Sequence, residues 1–359
     1  MALPFFNVQK NKKRDQIIAI DLGGRSTKAI HLQRKGDTYT LLRYCVMDAP
    51  IFEKSISVNL LADHLKAVHS ALNTKCKLVS IALGANDALV RQAELPQMPV
   101  SDLRMVLKTN SKNYLQQDLP GHVFDCHYSS ADPGTKSKDA GATKNTAPKQ
   151  KVLVGGVKQQ LLDDILSAVR QAGLVAESVI PGVIAPFNSF EVAQPESFAK
   201  EAVALVNIGF KSSSICLCNR GDLAVTRVVN IGGDRITQGL SESMGISYAE
   251  AEGIKIGMPG EVQSNLEPLI TPLGRELRAS IDFFEHQQDR TVSQVYVCGG
   301  SARSEFIVRS LQTELMSPCK SWNPAANFTL ALPPEQTAEI DHVSSQLTVA
   351  IGTAVAVLS

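Results

Sequence analysis

Asp21 closes an apolar run, Gly23 and Gly24 follow, and Ser26, Thr27 and Lys28 come next, all within IIAIDLGGRSTKAIHL, residues 17 to 32. A glycine turn exposes backbone N–H groups that can cradle a phosphate. Hydroxyls and a lysine add donors, and a carboxylate at a strand end can hold Mg²⁺ through water. The same residues also make a plain β-hairpin. IIAI is a buried-strand run, STKAIHL alternates as a returning strand, and Gly23 and Gly24 permit the positive φ that a two-residue hairpin turn often needs. Taken alone, the stretch leaves both readings open. The spacing excludes a P-loop, which needs G-x-x-x-x-G-K-[ST], and a Rossmann turn, which needs G-x-G-x-x-G and a following helix.

The plan returns after Glu201, in AVALVNIGFKSSSICLCNRGDLAVTRVVNIGG. A buried strand ends in Asn207, a turn carries Gly209 and small hydroxyls, and two more strands follow. This reads as an internal repeat of a strand–turn–strand–strand unit. Two such halves facing each other aim two phosphate-type turns at one cleft, and a matched pair argues for a ligand more strongly than one hairpin does.

Other elements must carry these turns. Leu61, Leu65, Val68 and Leu72 fall on one face of a helix over 57–72. KLVSIALG and DALVRQAELP read as strands, and 101–117 as a helix with Ser101 as its N-cap. Leu161, Ile165, Ala168 and Ala172 follow helical spacing, with Gly173 at C′ and Leu174 behind it. ESVIPGVIAPFNSFEVA is a strand and then a helix. Helices follow in DRITQGLSESMGI and SYAEAEGIKIGM, and Leu273, Leu277, Ile281 and Phe284 set another over 273–286. SQVYVCGGSARSEFIVRSLQTEL is strand, Gly-Gly turn and helix, and SSQLTVAIGTAVAVL a final apolar helix. Residues 129–150, without an aromatic or a large apolar residue, read as a flexible excursion between two strands.

Bulk properties narrow the function. At 359 residues there is room for two lobes. A net charge of +1 gives no electrostatic case for nucleic acid, and 5% aromatics none for a base-stacking platform. The seven cysteines, at 45, 76, 126, 216, 218, 298 and 319, include no C-x-x-C pair, and Cys216 and Cys218 share one face of a strand as buried thiols; this suggests a reducing compartment. No signal peptide or membrane-spanning run is expected. LPFF followed by KNKKR reads as a disordered, solvated N-terminus, with weak contact to a membrane surface as the alternative.

In this order the pieces resemble the actin-like ATPase superfamily of actin, DnaK-type chaperones, sugar kinases, FtsA and PilM, over nearly the whole chain. DLGGRSTK resembles the first phosphate motif, which implies nucleotide contacts from Asp21, Gly23, Gly24, Arg25, Ser26, Thr27 and Lys28, with Asp21 the carboxylate holding Mg²⁺ through water. NIGFKSSS resembles the second and implies Asn207, Gly209, Ser212 and Ser213. VYVCGGSA resembles the adenosine motif and implies Gly299, Gly300 and Ser301. YAEAEGIK is similar to the helix that reaches ribose in this group, with Glu252 accepting from the hydroxyls and Lys255, one turn on, near the base. VAIGTAV resembles the second connecting helix.

Within that group the chain most resembles the PilM family, through ALVRQAELPQMPVSDLRMVLKTNSKNYL, ILSAVRQAGL, VVNIGGDRITQGLSESMGISYAEAEGIK and ELRASIDFFEHQ. The resemblance implies a duplicated, ribonuclease H-like α/β fold with an inserted PilM/FtsA-type subdomain. The expected division is 1–78 for the first lobe, 79–182 for the insert, 183–200 for a return helix, 201–343 for the second lobe and 344–359 for a last helix packing back on the first. It also implies ATP and Mg²⁺ as ligands and a cytoplasmic scaffold of a type IV pilus or related secretion platform. Such a scaffold binds the N-terminal cytoplasmic tail of a PilN-like inner-membrane protein, reaches the membrane only through that partner, and can also meet the pilus motor ATPase or form oligomers.

Two departures bear on catalysis. Asn207 stands where the family's second turn usually has Asp, which weakens the hold on Mg²⁺ and on an attacking water; hydrolysis is expected to be weak or absent. Gly24 stands where Ser is common, and Ser26, Thr27 or Arg25 could compensate. Arg25 either clamps a phosphate or points into solvent, with solvent favoured. Two other functions of the superfamily fit less well. An FtsA-like division protein usually ends in a basic amphipathic helix, absent from AVAVLS. A small-molecule kinase needs a carboxylate base, for which Asp234 and Asp87 are candidates, Asp234 being better explained as a helix N-cap.

Overall fold

The computed structural model describes residues 3, 5–8, 14–51, 55–128 and 149–359. The chain opens with β1 (Gln16–Leu22), β2 (Ser26–Lys35) and β3 (Thr38–Asp48), an antiparallel meander, then α1 (Val58–Leu72) and β4 (Leu78–Leu83). Next come β5 (Ala88–Pro96), α2 (Val100–Leu115), β6 (His122–Tyr128) and β7 (Lys149–Lys158), and then α3 (Gln159–Gln171), β8 (Val175–Pro181), α4 (Ala185–Ala193) and α5 (Pro195–Lys200). The second half holds β9 (Ala202–Ile208), β10 (Ser213–Asn219), β11 (Asp222–Val229), α6 (Gly233–Met244), α7 (Tyr248–Gly257) and α8 (Gln263–Gln288). It closes with β12 (Gln294–Cys298), α9 (Glu305–Leu315), β13 (Cys319–Ser321), β14 (Thr329–Leu330), α10 (Pro334–Val343) and α11 (Thr348–Leu358).

Among the described residues these strands form three sheets, ordered β14-β3-β2-β1-β4-β8, β11-β10-β9-β12-β13 and β5-β7-β6. The first two share one plan: a central strand pairs antiparallel with the strand after it on one side and parallel with a later strand on the other. Ala202–Ile208 repeats Gln16–Leu22 at an offset of 186 residues (202 less 16, 208 less 22), so the repeat read in the sequence is a repeat of the sheet itself.

Strand alternation distributes the core. Ile18 and Ile20 of β1 pack with α1 and α3, while Ile17 and Ala19 face α11. In β9, Ala204 and Val206 face α6, α8 and α9, while Val203 and Leu205 join Phe187, Phe190 and Trp322. Each large sheet is thus covered on both faces, as its near-continuous apolar central strand requires. At Gly352 of α11 a Cβ would overlap the carbonyl oxygen of Ala185, so only glycine lets α11 lie against α4.

The helix face expected over 57–72 is the buried one; on α3 Ile165 and Ala168 are buried and Leu161 and Ala172 partly so, and Gly173 holds the left-handed C′ position at φ 74°. Four local expectations are corrected. Ser101 lies inside α2, bonded to Asp102, and Pro99 takes the cap position. The helix expected over 273–286 starts at Gln263, because Leu266 and Ile270 continue its buried face past Pro268 and Pro272. Asp234 is the second residue of α6, behind an N-cap at Gly232. The N-terminus is not wholly solvated where it is described: Phe5 is fully buried, while Asn7 and Val8 are exposed. The excursion expected at 129–150 lies outside the described residues, except that Lys149 and Gln150 already pair in β7. Among the described residues no helix is long and apolar enough to cross a membrane.

Candidate functional site

Five segments meet at one cleft. The turn after β1 spans residues 23–25, not two residues, and neither Gly23 nor Gly24 has positive φ. Gly23 is needed for another reason: a Cβ there would lie 2.6 Å from the Ser26 carbonyl oxygen and 2.8 Å from the Lys28 Nζ. The turn after β9 repeats this geometry, since a Cβ on Gly209 would lie 2.7 Å from the Ser212 carbonyl oxygen. The two turns touch: the Phe210 ring is 3.5 Å from where a Gly24 Cβ would be. Gly299, at φ 91°, leaves room for the Asn207 Oδ1, 2.5 Å from its own Cβ position, and Gly233 at the start of α6 does the same for the Ser301 Oγ at 2.6 Å. The expected turns therefore converge, and Asn207 touches the Gly299 turn directly.

Charge follows this convergence. Asp21 sits opposite Lys28 in the β1–β2 register, 3.7 Å from its Nζ. Burial raises the Asp21 pKa, and the Lys28 charge and hydrogen bond only partly offset it. On α7 the Glu252 Oε2 accepts from the Lys255 Nζ at 2.6 Å and the Thr237 hydroxyl at 2.5 Å. Burial alone would raise the Glu252 pKa, but those two bonds and the charges of Lys255 and Arg25 pull it below the usual carboxylate range. Arg25 crosses the cleft to the Glu252 Oε1 at 3.4 Å, with its guanidinium about 6 Å from the Phe210 and Tyr248 ring centres. Arg25 is exposed, as expected, yet its guanidinium is turned to Glu252 across the cleft.

Some expected groups turn elsewhere. Thr27, on the opposite face of β2 from Ser26 and Lys28, shares a hydrogen bond with the His64 Nε2 of α1 at 2.8 Å. Ser213 is buried and donates to the Ile231 carbonyl oxygen at 2.7 Å. Lys255 is buried beneath α6, where its ammonium also donates to the Thr237 Oγ1 at 2.7 Å; it orients Glu252 rather than presenting itself in the cleft. Asp234, weighed as a kinase base and as a cap, accepts from the Lys211 Nζ at 2.6 Å and the Tyr248 hydroxyl at 2.8 Å. Thr237, Tyr248 and Phe210 are not among the expected contacts: Phe210 and Tyr248 stand inside NIGFKSSS and YAEAEGIK, but no spacing sets them apart there. Lys211 occupies the place in the second turn that Arg25 holds in the first, and the 186-residue offset alone would have found it.

Past the Gly299 turn opens a cavity of about 470 Å³, bordered by Ile256, Arg303, Trp322, Asp341 and His342. Gly300 lies at the same turn with nothing within 4 Å of its Cβ position and no positive φ. Neither packing nor backbone demands a glycine there, whereas a ligand approaching the main chain would.

A family model described as type IV pilus assembly protein PilM matches residues 19–357. The chain belongs to the PilM family. Among solved structures, the PilM-PilN type IV pilus biogenesis complex matches at TM-score 0.82 and 19% identity, over 97% of this chain and 100% of that one. The ethanolamine utilization protein EutJ of Carboxydothermus hydrogenoformans matches at TM-score 0.54 and 13% identity, over 98% and 92%. MreB5 of Spiroplasma citri bound to ADP matches at 0.50 and 11%, over 95% and 96%. The fold is that of the actin-like ATPases. The cell division protein FtsA of Bacillus subtilis is 31% identical over 103 residues, which span 29% of this chain and 22% of FtsA. In this PilM-family chain the second of the two converging turns follows the amide Asn207, where the first follows the acid Asp21.

Proposed function

We propose that this chain is a cytoplasmic nucleotide-binding scaffold of a type IV pilus or related secretion platform, and that it captures the N-terminal cytoplasmic tail of a PilN-like inner-membrane protein. The observation that carries the nucleotide half is the contact of the two repeated glycine turns at Gly24 and Phe210. The partner half is supported by family membership and by the likeness to a PilM-PilN complex. Binding of ADP by MreB5, which shares the fold, supports the same cleft.

The residues fit such a ligand. Gly300 leaves open space, Glu252 is kept ionised toward the cleft, and Asp21 supplies one carboxylate at a strand end. Mg²⁺ commonly takes one or two carboxylates together with phosphate oxygens and water, so Asp21 suffices for a bound nucleotide. When bound, the ion would neutralise phosphate charge. This chain's own part is to bind and orient: Lys28 and Arg25 lie beside the phosphate turn, and Glu252, fixed by Lys255 and Thr237, accepts from ribose hydroxyls. With Asn207 at the second turn, no second carboxylate orients water, and turnover is slow or absent. A ligand at 100 times its dissociation constant adds about 2.7 kcal/mol of stability without chemistry.

The proposed division is 1–78 and 183–200 for the first lobe, 79–182 for the insert, 201–343 for the second lobe and 344–359 for the last helix; the sheets draw it differently, since β4 and β8 of 79–182 and β14 of 201–343 belong to the first sheet. The pilus motor ATPase and self-association are further proposed contacts, with the membrane reached only through the partner. Thermal denaturation with and without Mg-ATP, beside titration of a PilN-like tail peptide, tests both halves. A melting temperature unmoved by millimolar Mg-ATP sinks the nucleotide half; a tail that does not bind sinks the partner half.

A further inference from the structure

The described N-terminal residues are bonded the way a bound peptide is. β8 is the edge strand of the six-stranded sheet, and this segment takes its free edge. Asn7 bridges antiparallel to Ser178, the Val8 amide donates to the Glu177 carbonyl at 2.9 Å, and the Val179 amide donates to the Phe6 carbonyl at 3.3 Å. Asn188 of α4, fully buried, closes on one residue: its Oδ1 accepts from the Leu3 amide at 2.8 Å and its Nδ2 donates to the Leu3 carbonyl at 3.4 Å. From the other side the Asp125 Oδ2 of β6 accepts from the Phe6 amide at 2.9 Å. The Phe5 ring is wholly buried edge-on to His127, 4.5 Å between ring centres, in a notch of β7 where a Cβ on Gly155 would lie 2.6 Å from it.

The groove therefore runs between the β5-β7-β6 sheet on one side and β8 with α4 on the other. Nearly every polar bond in it is to main chain and asks for an extended peptide rather than a particular sequence; the Phe5 notch asks for one large apolar side chain. A polar group buried as deeply as Asn188 cannot be left unpartnered without its full desolvation penalty, and an edge strand leaves N–H and C=O groups open. Loss of the occupant exposes these groups, and an extended peptide is the replacement that matches their main-chain pattern. Phe6 is held at φ 45°, a left-handed conformation that a bulky residue adopts under strain, so the segment is not relaxed in its seat.

We propose that residues 3 and 5–8 occupy in cis the groove that the partner tail of the proposed function needs, and that this tail, an extended segment with a large apolar anchor, enters by displacing them in a strand exchange. The proposal rests on the partner reading above and adds its regulation: the chain's own start competes with the partner. Strand addition at a sheet edge supplies the affinity. A short tether holds the cis segment at an effective concentration in the millimolar range, so releasing it strengthens external binding.

The test uses two fluorescent probes, the peptide ALPFFNVQ (residues 2–9) and a synthetic N-terminal tail of a PilN-like protein. They are titrated into the full chain, the Phe5→Ala variant and a chain lacking residues 1–8. Both altered proteins are expected to bind each probe at least tenfold more tightly than the full chain. Should the altered chains not fold, hydrogen exchange on the unaltered full chain decides: saturating tail peptide is expected to speed exchange at residues 5–8 while residues 177–179 stay protected. Equal affinities, or a tail that binds while residues 5–8 keep their protection, overturn the cis-occupant proposal and leave the partner reading standing. ALPFFNVQ binding the shortened chain while the tail binds nothing supports the groove and removes that partner. Neither probe binding any form overturns the groove.

Discussion

Arg25, on the first glycine turn, meets Glu252, on a helix of the opposite half, at 3.4 Å. That contact joins the two repeated units directly across the cleft in which the nucleotide is proposed to lie. It also shares the carboxylate proposed to accept from ribose, so ligand entry and the Arg25 contact are coupled.

Because Arg25 is about half exposed, the ion pair is worth no more than roughly 1 kcal/mol of stability. Arg25→Ala is accordingly expected to lower the melting temperature by at most about 4 °C. Its main effect is kinetic, with release of a fluorescent ADP analogue several-fold faster in stopped flow. Unchanged release would show that Arg25 does not hold the halves together.

Asp21 and Asn207 occupy matching strand ends, but only Asp21 can ionise. Burial raises the folded pKa of Asp21 above 3.8, so ionisation opposes folding: the cost is absent below that pH and grows as pH rises through the folded pKa. Asp21→Asn is expected to raise the ligand-free melting temperature at pH 7 and leave it unchanged near pH 3, while abolishing the shift given by Mg-ATP. The converse change, Asn207→Asp, is expected to raise Mg-dependent phosphate release by tenfold or more. Calorimetry and a phosphate assay check the pair, and a less stable Asp21→Asn at neutral pH contradicts the account of burial.

His64, bonded to Thr27, and His31, between Gln16 and Thr74, are kept neutral; burial lowers both pKa values, helped at His31 by the Arg43 charge. Each folded pKa lies below the 6.5 of the unfolded chain, so the unfolded state takes up protons first. Stability is complete above about pH 6.5 and falls as pH drops below it. Urea midpoints are expected to decrease from pH 7.5 to 5.5, less steeply in His64→Gln. Parallel slopes in the two proteins would remove His64 from the explanation.

Gly23 and Gly300 separate structural from ligand-driven glycines. At Gly23 a methyl group strikes the Ser26 carbonyl and the Lys28 ammonium, so Gly23→Ala is expected to destabilise by about 1–3 kcal/mol. At Gly300 a methyl group meets open space, so Gly300→Ala stays within about 0.5 kcal/mol of the parent yet loses most of the nucleotide-induced thermal shift. An intact shift in Gly300→Ala would mean that no ligand approaches that turn.

Much of this was legible in advance because it is local. The faces of α1 and α3, the left-handed Gly173 and the doubled hairpin each depend on spacing within a few residues. The misreadings have the same origin. Ser101 and Asp234 have the composition of caps but not the position, since Pro99 and the Gly232 turn begin those helices first. α8 outran its expected start because burial along one face outweighed two prolines. Lys255 was expected near the base from the resemblance of its helix, whereas Thr237 of the preceding helix holds its ammonium.

By itself the sequence determined that two copies of one strand–turn–strand unit exist, 186 residues apart, and that the second carries an amide where the first carries an acid. Backbone propensity and apolar period act over a few residues, so they write themselves into short stretches. Only the tertiary structure decided that Gly24 meets Phe210, that Arg25 reaches Glu252, that Thr27 turns away to His64, and that the chain's own start fills the β8 edge. These contacts join residues tens to hundreds of positions apart, and they are set by how whole sheets and helices pack, to which local spacing is blind.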